Sequence, residues 1–343
     1  MKKRFFKFLS LILAVSISLF TVGCTEDNTL YFNNDFLGGG SVSDAPMDYT
    51  ETLIYDVTYT PSFGKVEKAD ALIQKAVNYN FTGTYEMNFS SGLTPPEEYA
   101  LEIDGESQVY CLTSTLTLNA WYDLEGTFDE GYTEVDGGKQ YVDTIKSKVY
   151  FLPKGHSFAP IVSTVEQDYS LLFAANSKFE VAKIKTTSKT VYKNNSYTTT
   201  INYADGSQKI STCEYEFKTA IDNAQFLFAL RNLTVNSGTI NIANLPVITP
   251  AYNSPQTLTV TNNTENTTSW TIDGVQTNYV VKNLQVYRQD AYNRGLSQYL
   301  LVTKTSNDTP QLKSQVLQYV YPLLTYGTNN QMGALVYKLV SVK

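Results

Sequence analysis

Apolar and polar positions alternate with a period of two along much of the chain after residue 48. Residues 52–60 set the pattern: Leu53, Tyr55, Val57 and Tyr59 fall on one face, with Asp56 and Thr58 among the residues between them. Successive strand side chains point to opposite faces, so this alternation predicts a half-buried β-strand. Phe81, Tyr85, Met87 and Phe89 repeat it. Further strands are predicted over 98–103, 106–112, 116–125, 140–152, 178–192, 197–203 and 208–218. The C-terminal part continues with strands at 257–261, 269–272, 279–288, 299–305, 316–321 and 334–342. Pro322 has no amide hydrogen to give to a ladder, so the strand before it is expected to end there or to lie on an edge.

The period switches twice. Val66, Ala69, Leu72, Ile73, Ala76 and Val77 fall at helical spacing and predict a helix over 66–78, with Ser62 as its N-cap. Residues 222–232 (DNAQFLFALRN) predict a second, shorter helix capped by Asp222. Phe226, Leu227, Phe228 and Leu230 make it apolar nearly all round, the mark of a helix buried on several sides. Asp104-Gly105, Asp136-Gly137-Gly138, Asn194-Asn195-Ser196 and Ala204-Asp205-Gly206-Ser207 are turn sequences, so most connections are expected to be hairpins. The Pro-rich stretch 241–255 is expected to be irregular, and 261–268 (TNNTENTT) a polar loop. The fold class is therefore mainly β: a large antiparallel meander (a curved sheet, half-barrel or sandwich) with two short helices packed on it.

The first 24 residues follow a different logic. Lys2, Lys3, Arg4 and Lys7 precede an apolar run over 9–20. That run is too short for the roughly 20 apolar residues of a spanning helix and has signal-peptide length. Thr21-Val22-Gly23-Cys24 follows and resembles the lipobox of bacterial lipoproteins, with Thr21 where that family usually has Leu, Val or Ile. The resemblance covers this segment only. It implies diacylglyceryl transfer to the Cys24 sulfur, cleavage before it, and a domain held by acyl chains on the extracytoplasmic face of a bacterial membrane or envelope. An ordinary secretory signal and an uncleaved anchor helix are the alternatives. The expected organisation is a signal peptide over 1–23, a flexible tether over 24–47 carrying Gly38-Gly39-Gly40-Ser41, and a β-rich exported domain over 48–343, with a possible subdivision near 219–255. A curved meander closed on its concave side by helices recurs among envelope lipoproteins that carry acyl chains, a likeness of fold that does not by itself give function.

Charge narrows the partners. The whole chain of 343 residues carries a net charge of −7, with 26 basic and 33 acidic residues. Without the four basic residues of the leader, 22 remain against 33, a net charge of −11. An acidic chain is a poor partner for nucleic acid, whose binding needs clustered Lys and Arg. It is also expected to be repelled from anionic headgroups and held on the bilayer by its lipid.

Candidate chemistry is sparse. His156 is the sole histidine, so any Ser-His-Asp or Cys-His site would have to use it, and His-based zinc sites are excluded. Cys111 and Cys213 allow at most one internal disulfide. Neither a phosphate-binding glycine loop nor a calcium-binding pattern of spaced acids occurs, although the turns at 136–138 and 205–207 could hold calcium. Asp123 and Glu125, two apart on a predicted strand near Trp121, form the one carboxylate pair that could work as in glycoside hydrolysis. No catalytic, cofactor-binding or metal-binding residue is assigned; Cys24 is the lipidation site. The sequence thus supports a membrane-anchored, non-catalytic binding or carrier module for a lipid-like or apolar ligand. The alternatives are a surface adhesion or glycan-binding module, with Trp121 and Trp270 as stacking platforms, and a carbohydrate-active enzyme using Asp123 and Glu125.

Overall fold

The computed structural model describes residues 49–61, 77–94, 96, 108–152, 158–175, 178–193, 195–215, 220–231, 242–249, 256–288, 297–305, 315–324 and 331–343. The N-terminal half supplies β1 (Thr50–Thr60), β2 (Val77–Leu93), β3 (Val109–Leu124), the short β4 (Gly126–Phe128) and β5 (Thr133–Val135), β6 (Gly138–Phe151), β7 (Pro160–Ala175), β8 (Lys178–Lys193), β9 (Ser196–Tyr203) and β10 (Gln208–Glu214). After β11 (Ile221–Asp222), a 3-10 turn (Asn223–Gln225) leads into α1 (Phe226–Arg231). Then follow β12 (Ile242–Ile248), β13 (Gln256–Ile272), β14 (Val275–Arg288), β15 (Ser297–Thr305), β16 (Val316–Leu324) and β17 (Gln331–Val342).

All 17 strands join one sheet. Its main antiparallel order is β10-β9-β8-β7-β6-β3-β2-β1-β17-β16-β15-β14-β13-β12. Neighbours in sequence are mostly neighbours in space, as hairpin connections dictate. The exception that joins the two halves is β1, which pairs with β2 on one side and with the last strand, β17, on the other. Two short pairings are parallel: β11 with β12, and β4 with β8. Among the described residues the sheet is not closed.

It nevertheless wraps around its core. Phe228 of α1 packs on Phe89 of β2 and Phe151 of β6, while Phe226 packs on Tyr299 of β15. From β6 to β15 is six inter-strand steps, about 29 Å on a flat sheet. A helix of six residues is only about 9 Å long. One helix can touch both strands only if the sheet curls around it. The two ends also meet through side chains: Tyr192 and Tyr197 of β8 and β9 cluster with Ala220 and Ile248 beside β11 and in β12.

The alternating residues of β1 behave as their spacing predicts: Leu53, Tyr55 and Val57 are buried. So are Phe81, Met87 and Phe89 of β2. The second predicted helix is present in shortened form, with Asp222 as the cap of its leading 3-10 turn. Of the first predicted helix, residues 66–76 lie outside the described residues, and Val77 and Asn78 open β2 as strand. The turn at Asp104-Gly105 also lies outside them. Asp136 and Gly137 adopt positive φ values of 47° and 77° and turn β5 into β6.

Three stretches differ from expectation. β7 occupies 160–175, where no strand is predicted, because Ser163 and Ser170 are buried and interrupt the apolar period. The Pro-rich stretch contains β12, with Pro246 opposite Thr257. This strand borders the open end of the sheet, where a residue without an amide hydrogen is tolerated. The supposed loop 261–268 belongs to one 17-residue strand, β13, whose register shifts between Asn262 and Glu265. Pro322 does not end its strand: β16 runs on to Leu324. Among the described residues its pairing with β15 stops at Val320, and Pro322 is paired on one side only, with Ala334 of β17.

Candidate functional site

The helix seated inside the curl is held at both ends by buried polar groups. At its start the Asp222 carboxylate accepts from the Ala224 amide (2.7 Å), and the Asp222 amide donates to the Gln225 Oε1 (2.9 Å), a reciprocal cap. The other carboxylate oxygen accepts from the Ser163 hydroxyl at 2.6 Å and from the Tyr192 hydroxyl. Gln225 Nε2 donates to the Phe158 carbonyl at 3.0 Å. The cap is thereby fixed to β7, β8 and the approach to β7. Burial raises the Asp222 carboxyl above its ordinary range, against the pull of hydrogen bonds from Ser163, Tyr192 and the Ala224 amide.

At the other end, Arg231 Nη1 and Nη2 donate to the two Glu51 oxygens at 2.7 and 3.2 Å, and Gln315 Nε2 donates to Glu51 Oε1 at 2.7 Å. Arg231 and Glu51 are only 2% and 3% exposed. This fork ties α1 to β1 and to the residue before β16.

Between these two polar ends the interior is aromatic. Phe228 meets Phe89, Phe151 and Phe158, and Tyr110 packs on the same three phenylalanines. On the far wall Tyr299, Tyr319 and Tyr337 stand directly opposite one another on β15, β16 and β17. Their rings stack, with centroids 5.6 and 3.9 Å apart. Tyr85 meets both Tyr319 and Tyr337 edge-on. Such pairs contribute about 0.5–1.5 kcal/mol each beyond the area they bury.

A second buried polar group lies where β6 and β7 part. Their ladder runs as far as Thr144 opposite Asp168. Beyond it the Asp143 carboxylate takes the place of a ladder partner, accepting from the Ser170 amide (2.8 Å) and hydroxyl (2.7 Å). Lys183 Nζ bridges Asp143 and Asp168 at 3.1 and 3.0 Å, and Lys185 also holds Asp168, at 2.9 Å. Burial raises the Asp143 carboxyl. For Asp168 burial acts the same way, but the hydrogen bonds from Lys185 and Lys183 outweigh it and hold that carboxyl below its ordinary range. Shared between two carboxylates, Lys183 braces β8 against β6 and β7.

The residues singled out from the sequence are not brought together. Asp123 and Glu125 are both exposed near the end of β3, where Asp123 accepts a long hydrogen bond from Asn78 (3.4 Å). Trp121 donates its indole N–H to the Val135 carbonyl (2.8 Å) and covers Gly138, where an added Cβ would lie 2.5 Å from the ring. Trp270 likewise donates to the Leu339 carbonyl at 2.8 Å. Trp121 thereby ties β3 to β5 across β6, and Trp270 ties β13 to β17, four strands apart in the sheet order. Cys111 and Cys213 are free thiols on β3 and β10. His156 and Cys24 lie outside the described residues.

The groups that do converge were partly signalled. Glu51 falls in phase with Leu53, Tyr55 and Val57, and Asp143 in phase with Tyr141 and Val149; an acid on the apolar face of a strand needs a buried partner. Arg231, Gln315 and Ser163 carry no such mark. Among the described residues, no three His, Cys, Asp or Glu side chains gather to hold a metal, and no helix is long and apolar enough to cross a membrane. The chain matches no family model, no curated protein and no solved structure.

Proposed function

We propose that this chain is an exported lipoprotein, acylated at Cys24, whose β-rich domain acts as a non-catalytic binding or carrier module for a lipid-like or apolar ligand. The observation that supports the ligand class is the seat of α1. A short helix, apolar on all sides, lies inside an unclosed sheet against rows of aromatic rings, and buried polar groups grip it at its two ends. An acyl chain entering there would meet the same rings that α1 meets. The leader with its Thr21-Val22-Gly23-Cys24 ending supports the anchor and the extracytoplasmic address. Acyl chains at the N-terminus would hold the domain on the bilayer at about 0.8 kcal/mol per buried CH₂.

Native mass spectrometry after gentle extraction tests the ligand. Co-purified lipid, or uptake of added lipid, is the expected result; protein with neither would refute the carrier role. A Cys24→Ser variant tests the anchor separately. It should be released or left unprocessed, and a variant that is trimmed and still fractionates fully with membranes would refute lipidation.

A further inference from the structure

The acidic net charge of the chain is not spread evenly. β6, β7 and β8 carry eight lysines against four carboxylates, so these three strands are basic in a chain that is otherwise strongly acidic. Strand register places many of these lysines on one face. Lys148, Thr164, Lys189 and Thr200 stand directly opposite one another across β6, β7, β8 and β9. Lys146, Glu166, Thr187 and Asn202 form the next row, and Lys185 the row beyond, opposite Asp168. Lys146, Lys148, Lys185, Lys189 and Lys193 are all exposed. Directly opposite residues share a face, so the lysines form a grid with about 4.8 Å between strands.

Two carboxylates share this grid, Glu166 and Asp168, and Asp168 is already held by Lys183 and Lys185. The acids elsewhere act weakly here, because the field of an exposed charge fades over a Debye length of about 8 Å at physiological salt. The uncharged members of the grid, Thr164, Thr187 and Asn202, are also exposed and offer hydroxyl and amide donors. The surface is broad and sheet-borne rather than a pocket. Its chemistry suits an extended array of phosphates.

We propose that the outer face of β6, β7 and β8 docks on an anionic bilayer and lays the domain against the membrane that carries it. That it meets its own membrane rests on the anchored reading above; the affinity itself does not. The net charge alone predicts repulsion from such a surface. Segregation of the lysines onto one face reverses that locally, as with basic clusters elsewhere.

The test uses a chain beginning at Thr25, which has no lipid and keeps every described strand. Co-flotation is measured with vesicles of phosphatidylcholine alone and of phosphatidylcholine mixed with phosphatidylglycerol. Binding is expected only to the mixed vesicles and should weaken as salt is raised. A K146Q/K148Q/K189Q variant should bind about a hundredfold more weakly. A K338Q variant, altered on the distant β17, should bind as the parent does. Unchanged thermal unfolding of the triple variant shows that its fold is intact. Equal binding to neutral vesicles, or full binding by the folded triple variant, would overturn the proposal. So would failure to bind mixed vesicles together with capture by a soluble sulfated polysaccharide, which would make the partner a glycan. Because this chain lacks Cys24, a negative result here leaves the lipidation experiment untouched.

Discussion

Arg231 and Glu51 lie 180 residues apart in sequence and meet as a two-pronged ion pair inside the core, with Gln315 donating to the same carboxylate. A buried pair of this kind returns little net stability over an apolar pair of the same shape, but breaking one partner strands the other charge. Glu51→Gln should therefore destabilise the fold by about 3–5 kcal/mol, read from urea denaturation. Replacing both at once, Glu51→Leu with Arg231→Met, should recover most of the loss. If Glu51→Gln alone is neutral, the pair is not what holds the end of α1.

The cap at the other end of α1 makes stability depend on pH. Burial raises the Asp222 carboxyl in the folded state, so between its ordinary value and that raised value the fold holds a proton that the unfolded chain has lost. Stability from this group is then fully present in acid and is lost as pH rises through the raised value. Asp222→Asn cannot ionise and remains a good N-cap. Urea midpoints from about pH 4 to pH 8 should fall less steeply for Asp222→Asn than for the parent. Asp143, raised by burial as well, persists in both proteins and leaves a shared slope. Parallel profiles would mean that the three donors around Asp222 keep it ionised throughout.

Much of the architecture was legible in the sequence, because a period of two survives wherever one face of a strand is buried. Leu53, Tyr55 and Val57 announced β1, and Asp222 announced the helix it caps. The pattern failed where polar side chains turn inward. Ser163 and Ser170 hid β7, since their partners, Asp222 and Asp143, come from other elements. It failed too in β13, where Thr and Asn side chains made a long strand read as a loop. The site was less legible than the fold. Glu51 and Asp143 signal their burial by phase, but nothing local tells Arg231 which carboxylate it meets.

One glycine marks a contact that no side chain could allow. Gly83 sits on β2 opposite Leu118 of β3, in a φ region open to any residue. A Cβ placed on it would lie 1.9 Å from the Thr117 carbonyl oxygen and 2.9 Å from the Leu118 Cα. Those atoms belong to the neighbouring backbone and cannot rotate away. Gly83→Ala should cost at least the roughly 1–3 kcal/mol of an overpacked core, because relief requires moving β3 against β2. Chemical denaturation measures it, and a variant as stable as the parent would mean that the strands can part here freely.

The two internal cysteines should differ sharply in reactivity. Cys111 is buried on β3, and burial pushes its thiol up to about 11, with Lys148 and Tyr150 pulling the other way. The thiolate is the nucleophile, so a rise from the ordinary value of 9.0 leaves roughly a hundredfold fewer reactive ions at neutral pH. Cys213 is half-buried on β10 and donates to the Glu214 carbonyl at 3.3 Å. In the native chain beginning at Thr25, iodoacetamide should modify Cys213 first and Cys111 only on unfolding, as peptide mass spectrometry can read. Equal rates in the native state would show that the β2–β3–β6 region opens readily around Cys111. Mutual protection of both thiols, lost on reduction, would instead require a disulfide between β3 and β10 and a different path of the sheet between them.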